Sequence, residues 1–172
     1  KKKLNSDNLF NILVCGTNQN NTDAIIIVSL DMERNYANLI SIPRDLYHKK
    51  KKINSLYGTY GIETLAGTVS EITGLEINRH AVVDMYAFVE LVNVLGGIDV
   101  ELEEPLVDPT YRVRDENGNW TTLFYPAGIH HVNGIEALRI ARARHFTPVF
   151  SRDYRQQKIL MAVKDKLGEI GV

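Results

Sequence analysis

Half of the arginines in this 172-residue chain crowd into one stretch near its C-terminus: Arg139, Arg142, Arg144, Arg152 and Arg155, with Gln156 and Gln157 directly after. A guanidinium is planar, permanently charged and forked. Several of them without matching carboxylates make a receptor for an oxyanion, most often phosphate. Only Glu136 and Asp153 supply acid close by in sequence. On a helix turning about 100° per residue, Arg152, Gln156, Ile159, Leu160, Val163 and Leu167 fall within about one third of the wheel. Arg152 and Gln156 are therefore expected to extend an apolar stripe, and Arg155 to point away from it. An arginine on the core side must be paired or face a polar cavity, and the helix N-terminus beside it adds anion-favouring donors. A strand cap or a buried aspartate would satisfy it equally well.

Two further constellations carry chemistry. Ser41-Ile42-Pro43-Arg44-Asp45 closes an apolar run, and strand ends at the C-terminal edge of an α/β sheet are where ligands gather. A local Arg–Asp pair in a turn is the plainer alternative. Asp23 opens the run Ala24–Val28, with Asn18 just after Gly16-Thr17. A carboxylate beside phosphate-binding arginines can hold magnesium through one or two oxygen ligands. The same segment also fits a turn whose Asn and Asp side chains serve as caps. His130-His131 lacks partners at metal spacing and is expected in a loop or in packing. There is no Gly-x-Ser-x-Gly elbow, no phosphate-binding Gly-Lys-Ser/Thr loop and no paired-cysteine zinc signature.

These residues need a scaffold. Phe10–Cys15, Ala24–Val28 and Tyr36–Ile42 read as strands, the second β-branched and continuous as in a strand covered on both faces. Ile62, Leu65, Ala66, Val69 and Ile72 keep helical spacing up to Gly74, a helix stop. Arg79–Val83 is a strand. Met85, Phe88, Val89, Val92 and Leu95 mark a second helix closed by Gly96-Gly97, and Ile98–Leu102 returns as a strand. The stretch 103–128 is the least regular, with Asn117-Gly118 predicting a type I′ hairpin between Tyr111–Arg114 and Trp120–Leu123. Asn133 and Glu136 form a capping box for a helix through about Arg142, and the last helix starts near Ser151. Strands interleaved with helices imply an α/β layered domain with a mixed sheet. The faces Ile62/Leu65/Val69, Phe88/Val92 and Ile159/Val163 are expected to cover that sheet, leaving a gap that ends at the arginines.

The totals exclude several classes. A length of 172 residues suits about one domain, and 44% hydrophobic with 24% charged residues is ordinary for a globular protein. Net charge is -1, so no global field draws the chain to nucleic acid. One cysteine, Cys15, rules out an internal disulfide framework; inside an apolar run it is expected to be a buried structural thiol. No signal peptide or membrane-length apolar run is present.

Taken in order, these landmarks make the sequence resemble the LytR-CpsA-Psr family of bacterial cell-envelope proteins. The resemblance rests on Asn11-Ile12-Leu13-Val14-Cys15-Gly16-Thr17, Thr22-Asp23, Ser41-Ile42-Pro43-Arg44-Asp45, Lys52-Ile53-Asn54 and Leu95-Gly96-Gly97-Ile98-Asp99-Val100. It continues through Asn133–Leu138, Ala141-Arg142-Ala143-Arg144 and Arg152-Asp153-Tyr154-Arg155-Gln156-Gln157. It implies a three-layer α/β/α domain at 10–172 with a central mixed β-sheet and a lipid pocket between sheet and helices. Residues 1–9 would be a juxtamembrane or linker remnant. It implies a domain on the extracellular face of the bacterial cytoplasmic membrane, held by an N-terminal helix absent from this chain. Its activity would be phosphotransfer of a glycopolymer from polyprenyl phosphate or pyrophosphate lipid to peptidoglycan.

Carried over by position, Arg44, Arg142, Arg144, Arg152 and Gln156 would hold phosphate oxygens and Asp45 would orient Arg44. Asp23 would be a magnesium ligand, and Asn18 a weak one. The family usually carries aspartate where Asn18 stands and arginine where Asn21 stands, and near the cluster often an acidic residue at Val149 and glycine at Ser151. The first two departures fall in one corner of the site. They set a second expectation beside the enzyme: a catalytically weakened polyprenyl-phosphate binding module of the same family.

Overall fold

The apolar runs Phe10–Cys15 and Ala24–Val28 extend, in the computed structural model, into two long antiparallel strands, β1 (Leu9–Asn18) and β2 (Asn21–Asp31). The model describes residues 9–34, 36–115, 117–143 and 149–169, and falls into two compact units, Lys1–Met85 and Tyr86–Val172. In the first unit β3 (Tyr36–Ser41) pairs antiparallel with β2. A two-residue ladder of β4 (Tyr47–His48) and β5 (Lys51–Lys52) follows, then a single 3-10 turn at Ile53–Ser55. Next come α1 (Leu56–Tyr60), α2 (Ile62–Thr73) and β6 (Arg79–Asp84). The sheet order is β3-β2-β1-β6, with β6 parallel to β1. A parallel return needs a crossover, and α1 and α2 supply it.

Leu13, Cys15, Ile25 and Ile27 point to one face of this sheet and pack with Ile53, Leu56, Leu65 and Val69 in one buried cluster. The helical spacing of α2 puts Leu65, Ala66 and Val69 on a single face, and each large side chain so buried contributes about 2 kcal/mol. Gly74, in the left-handed conformation at φ 77°, ends the helix by donating to Ser70 O at 2.8 Å. Cys15 is fully buried, and burial pushes its thiol up to about 12. The opposite face is apolar too, yet its Ile12, Val14, Ala24 and Val28 are only half-buried.

The second unit contains α3 (Met85–Val94), β7 (Ile98–Leu102), β8 (Leu106–Arg114), β9 (Trp120–Tyr125), β10 (Gly128–Val132), α4 (Gly134–Arg142) and α5 (Val149–Glu169). β10 pairs with β7 and β8 with β9, both antiparallel. Asn133 caps α4 with the reciprocal Glu136 contacts of a capping box. Gly134 approaches α3 so closely that a Cβ would lie 2.2 Å from Val89 O, while its N–H donates to Asn93 Oδ1 at 2.9 Å.

Three expectations change. Val92, Ile159 and Val163 do not share a core with Leu65 and Val69; they form a second cluster with Ile98, Val100, Leu106, Leu123 and Val132. The irregular stretch 103–128 is largely strand, because Leu106 and Leu123 supply an inward face that periodicity alone understated. The hairpin at Asn117-Gly118 exists, but its closure runs from Gly118 N to Asp115 O at 2.9 Å, and Asn117 does not adopt the positive φ that a type I′ turn requires. Among the described residues, no helix is long and apolar enough to cross a membrane.

Candidate functional site

In the first unit the antiparallel pairing of β2 and β3 sets the start of one strand beside the end of the other. At the start of β2 the register steps from Gly16↔Ala24 to Thr17↔Thr22, so Asp23 is the extra residue of a β-bulge. Bulges re-aim side chains. Here Thr22 takes the inward place opposite Thr17 and donates to Asn54 O at 3.0 Å. At the end of β3, Pro43 opens a turn closed by Leu46 N donating to Pro43 O at 3.0 Å, and Asn54 N donates to Arg44 O at 3.2 Å. That double anchorage fixes the Arg44 backbone.

Arg44 Nη1 donates to Asp23 Oδ1 in a partly buried ion pair. Asp45 Oδ2 lies 3.7 Å from Arg44 Nε, and its Oδ1 lies 3.8 Å from Lys52 Nζ. Arg44 Nε is nonetheless buried with no hydrogen-bond partner among the described residues. Asn18 stands on the last rung of β1, opposite Asn21.

The second unit holds the C-terminal arginines. Arg142 is half-buried on the last turn of α4, where cations favour the helix dipole. Arg144 lies outside the described residues, as do the side chains of Val149 and Ser151. Arg152 is largely buried, and its Nη2 donates to Asp153 Oδ1 at 3.2 Å. Its Nε, like that of Arg44, is buried without a partner among the described residues. Gln156 Nε2 donates to Ala141 O at 3.3 Å.

Arg155 overturns its expected place. It is only 7% exposed, and it donates from Nε to Ile140 O at 3.2 Å and from Nη2 to Ala143 O at 2.6 Å. Burial and the like charge of Arg152 pull its guanidinium below the ordinary value, and the charge of Asp108 opposes them. The stripe of α5 centres on Ile159, and a residue four positions earlier shares its face. Arg152 and Gln156 flank that stripe half-buried. Asp108, only 2% exposed, also goes unseen in the sequence; its Oδ1 accepts from Thr110 N at 3.0 Å, Thr110 Oγ1 at 2.7 Å and Tyr111 N at 3.2 Å.

For a magnesium ion, the donors in the first unit are a poor set. Asp23 already serves Arg44, Asn18 brings no charge, and a hard dication wants several oxygens and an anionic surround. Among the described residues, no three His, Cys, Asp or Glu side chains group as a metal site would need. His131 is on strand β10 rather than in a loop; its Nδ1 lies 2.7 Å from Asp99 Oδ1 and its Nε2 3.1 Å from Gly96 O.

The model of the LytR_cpsA_psr family matches residues 1–171. The chain belongs to the LytR-CpsA-Psr family. Among LytR-CpsA-Psr relatives, the polyisoprenyl-teichoic acid–peptidoglycan teichoic acid transferase TagV of Bacillus subtilis is 31% identical over 161 residues, which are 85% of this chain and 39% of the relative. The transferase of the same description TagU, from Bacillus cereus, is 28% identical over 159 residues, covering 88% of this chain and 48% of its own length. The chain thus spans less than half the length of these two relatives. The crystal structure of Bacillus subtilis TagV superposes with a TM-score of 0.77 at 28% identity, over 97% of this chain and 66% of that one. The LytR-CPS2A-psr family protein YwtF (TagT) with bound octaprenyl pyrophosphate lipid gives 0.75 at 24% identity, over 97% and 68%. With these family structures the mixed α/β fold agrees.

Proposed function

We propose that this chain binds a polyprenyl phosphate or pyrophosphate lipid carrying a glycopolymer and transfers that polymer to a peptidoglycan hydroxyl. The observation that carries the reading is that Arg44 in the first unit and Arg152 in the second each hold a buried N–H group with no acceptor among the described residues. A buried donor without an acceptor costs about 1–3 kcal/mol, more when charged, so such a group is retained where an acceptor arrives. A phosphate oxygen is the acceptor a guanidinium suits best. The half-buried apolar face of the first unit's sheet, with Ile12, Val14, Ala24 and Val28, supports an isoprenoid chain as the rest of the ligand. The names of TagV and TagU support the transfer.

In the proposed step the acceptor hydroxyl oxygen bonds to the phosphorus bearing the glycopolymer. The bridging P–O bond of a pyrophosphate-linked carrier breaks, polyprenyl phosphate leaves, and the hydroxyl proton passes to solvent. Arg44 in the first unit, and Arg142, Arg144, Arg152 and Gln156 in the second, are the residues proposed to stabilise charge on phosphate oxygens, with no covalent intermediate. Asp45 keeps Arg44 oriented through its 3.7 Å contact. A magnesium ion would supply Lewis-acid neutralisation of the phosphates, but Asp23, engaged by Arg44, and the neutral Asn18 would offer it only a weak set of ligands. No step depends on it. The chain works on the outer face of the bacterial cytoplasmic membrane, attached by an N-terminal anchor.

One observation favours a second reading, a binding module with weakened transfer: the Asp23 carboxylate is engaged by Arg44, and the neutral Asn18 stands where the resemblance implies aspartate. Mass spectrometry of lipid extracted from the protein purified with its membrane tests the grip, and polyprenyl phosphate is expected. A transfer assay with lipid-linked glycopolymer and peptidoglycan separates the two readings. Turnover by the unmodified chain supports the enzyme, bound lipid without turnover supports the module, and absence of the lipid rejects both.

A further inference from the structure

The β8–β9 ribbon has one face in the core and one in solvent. Leu106, Asp108 and Leu123 point inward, and Val113 and Tyr125 pack partly buried against the same cluster. The outward face is three cross-strand pairs in succession: Val107↔Phe124, Arg112↔Thr122 and Arg114↔Trp120. Trp120 and Phe124 are each 59% exposed and Val107 38%. Arg114 lies over the Trp120 ring, 4.5 Å from its centroid, and donates from Nη1 to Gly118 O at 2.6 Å.

We infer that this outward face is a docking surface for an anionic lipid bilayer. Two guanidiniums stand on these three pairs and, among the described residues, no carboxylate does, which favours an anionic partner; Glu116 lies outside the described residues. Asp115, next along the strand, turns its Oδ1 to the loop backbone, accepting from Asn117 N at 2.9 Å and Asn119 N at 2.8 Å. The apolar pair Val107–Phe124 selects acyl chains over a hydroxyl-rich polymer. Tryptophan prefers the headgroup boundary, where its apolar ring and polar N–H are both served. Arginine stems cover apolar surface while their heads stay among phosphates. The patch is small, so the contact is reversible, and it orients the second unit on the membrane rather than anchoring it. It does not depend on the proposed transfer.

Trp120 is the only tryptophan in the chain, so its fluorescence reports on this face alone. The full chain is mixed with vesicles of phosphatidylcholine, with or without phosphatidylglycerol. With the anionic vesicles its emission is expected to shift to the blue and to be quenched by brominated acyl chains. Each arginine contributes about a fivefold gain near an anionic surface. Arg112→Gln, which leaves the Trp120 environment intact, should therefore weaken partitioning about fivefold. Phe124→Ser should remove most of the acyl-chain quenching. Sedimentation with vesicles while Trp120 emission stays fixed would place the contact elsewhere and overturn the inference. So would failure to bind anionic vesicles, or an equal response to a soluble anionic polysaccharide.

Discussion

Arg155 donates to the carbonyl oxygen of Ala143 across 2.6 Å, and with its second bond to Ile140 O it fastens the start of α5 to the end of α4. The last carbonyls of a helix have no donor within it. A buried guanidinium supplies two, and the charge of Asp108 offsets part of the cost of burying it. The arginine cluster therefore divides by role. Arg155 holds the end of α4 that carries Arg142, and Arg152 keeps one donor unused among the described residues.

Replacing Arg155 by methionine keeps the length of the side chain but removes both bonds and leaves the Asp108 charge buried. The expected loss is about 3 kcal/mol, read from urea denaturation. Asp108→Asn should cost less in the Arg155→Met background than alone, with a coupling of about 1–2 kcal/mol. Were Arg155 an outward-facing side chain, its removal would change stability by no more than about 0.5 kcal/mol.

The sequence made the site's two halves legible where local chemistry sufficed. Asp23 opens a β-branched strand and Arg44 follows the proline that ends the next one, and antiparallel pairing then brings the two together. The bulge at Asp23 was hidden, since it is visible only as a step in register against β1. The phase of α5 follows its buried residues Ile159 and Val163, not its polar first turn. Counting back four residues from Ile159 reaches Arg155, and the need of α4 for donors lies in another segment. The same holds for β10: Gly128–Val132 becomes a strand by pairing with β7 across 25 or more intervening positions.

Asp23 serves a guanidinium where a hard cation would need it, so added charge beside it should matter. Asn18→Asp is expected to raise magnesium affinity about tenfold, on the order of 1.4 kcal/mol, read by calorimetric titration. Asn21→Arg in addition should restore a phosphate donor and raise transfer. Equal magnesium affinity before and after the change at Asn18 would show that position 18 takes no part in cation binding.

His131 carries a pH signature outside the arginine cluster. Its hydrogen bond to Asp99, then that to the Gly96 carbonyl, raise its pKa above the ordinary 6.5. A folded value above the unfolded one means stability that is fully present below about pH 6.5 and is lost as pH rises through the folded value. NMR titration of the His131 ring should show the raised value and its return toward 6.5 in Asp99→Asn. In His131→Gln the slope of stability against pH over that window should flatten. Gly97 is part of this arrangement, since a Cβ there would lie 2.6 Å from His131 Nε2, so Gly97→Ala should displace the ring and lower the same pKa.

The two Nε groups without an acceptor among the described residues give the sharpest test of the phosphate grip. Lysine retains the charge of Arg44 or Arg152 but not the planar fork, so it cannot place two parallel N–H groups on one phosphate. Arg44→Lys and Arg152→Lys should each weaken binding of a short polyprenyl phosphate about tenfold, since a charge-assisted hydrogen bond is worth about 1.5–3 kcal/mol. Asp153→Asn should act in the opposite direction, because it loosens the 3.2 Å hold on Arg152 Nη2 and leaves more of that guanidinium for the ligand. If binding were driven by charge alone, the lysine variants would match the unmodified chain and Asp153→Asn would still strengthen it. Only the loss in the lysine variants identifies the fork itself as the recognising element.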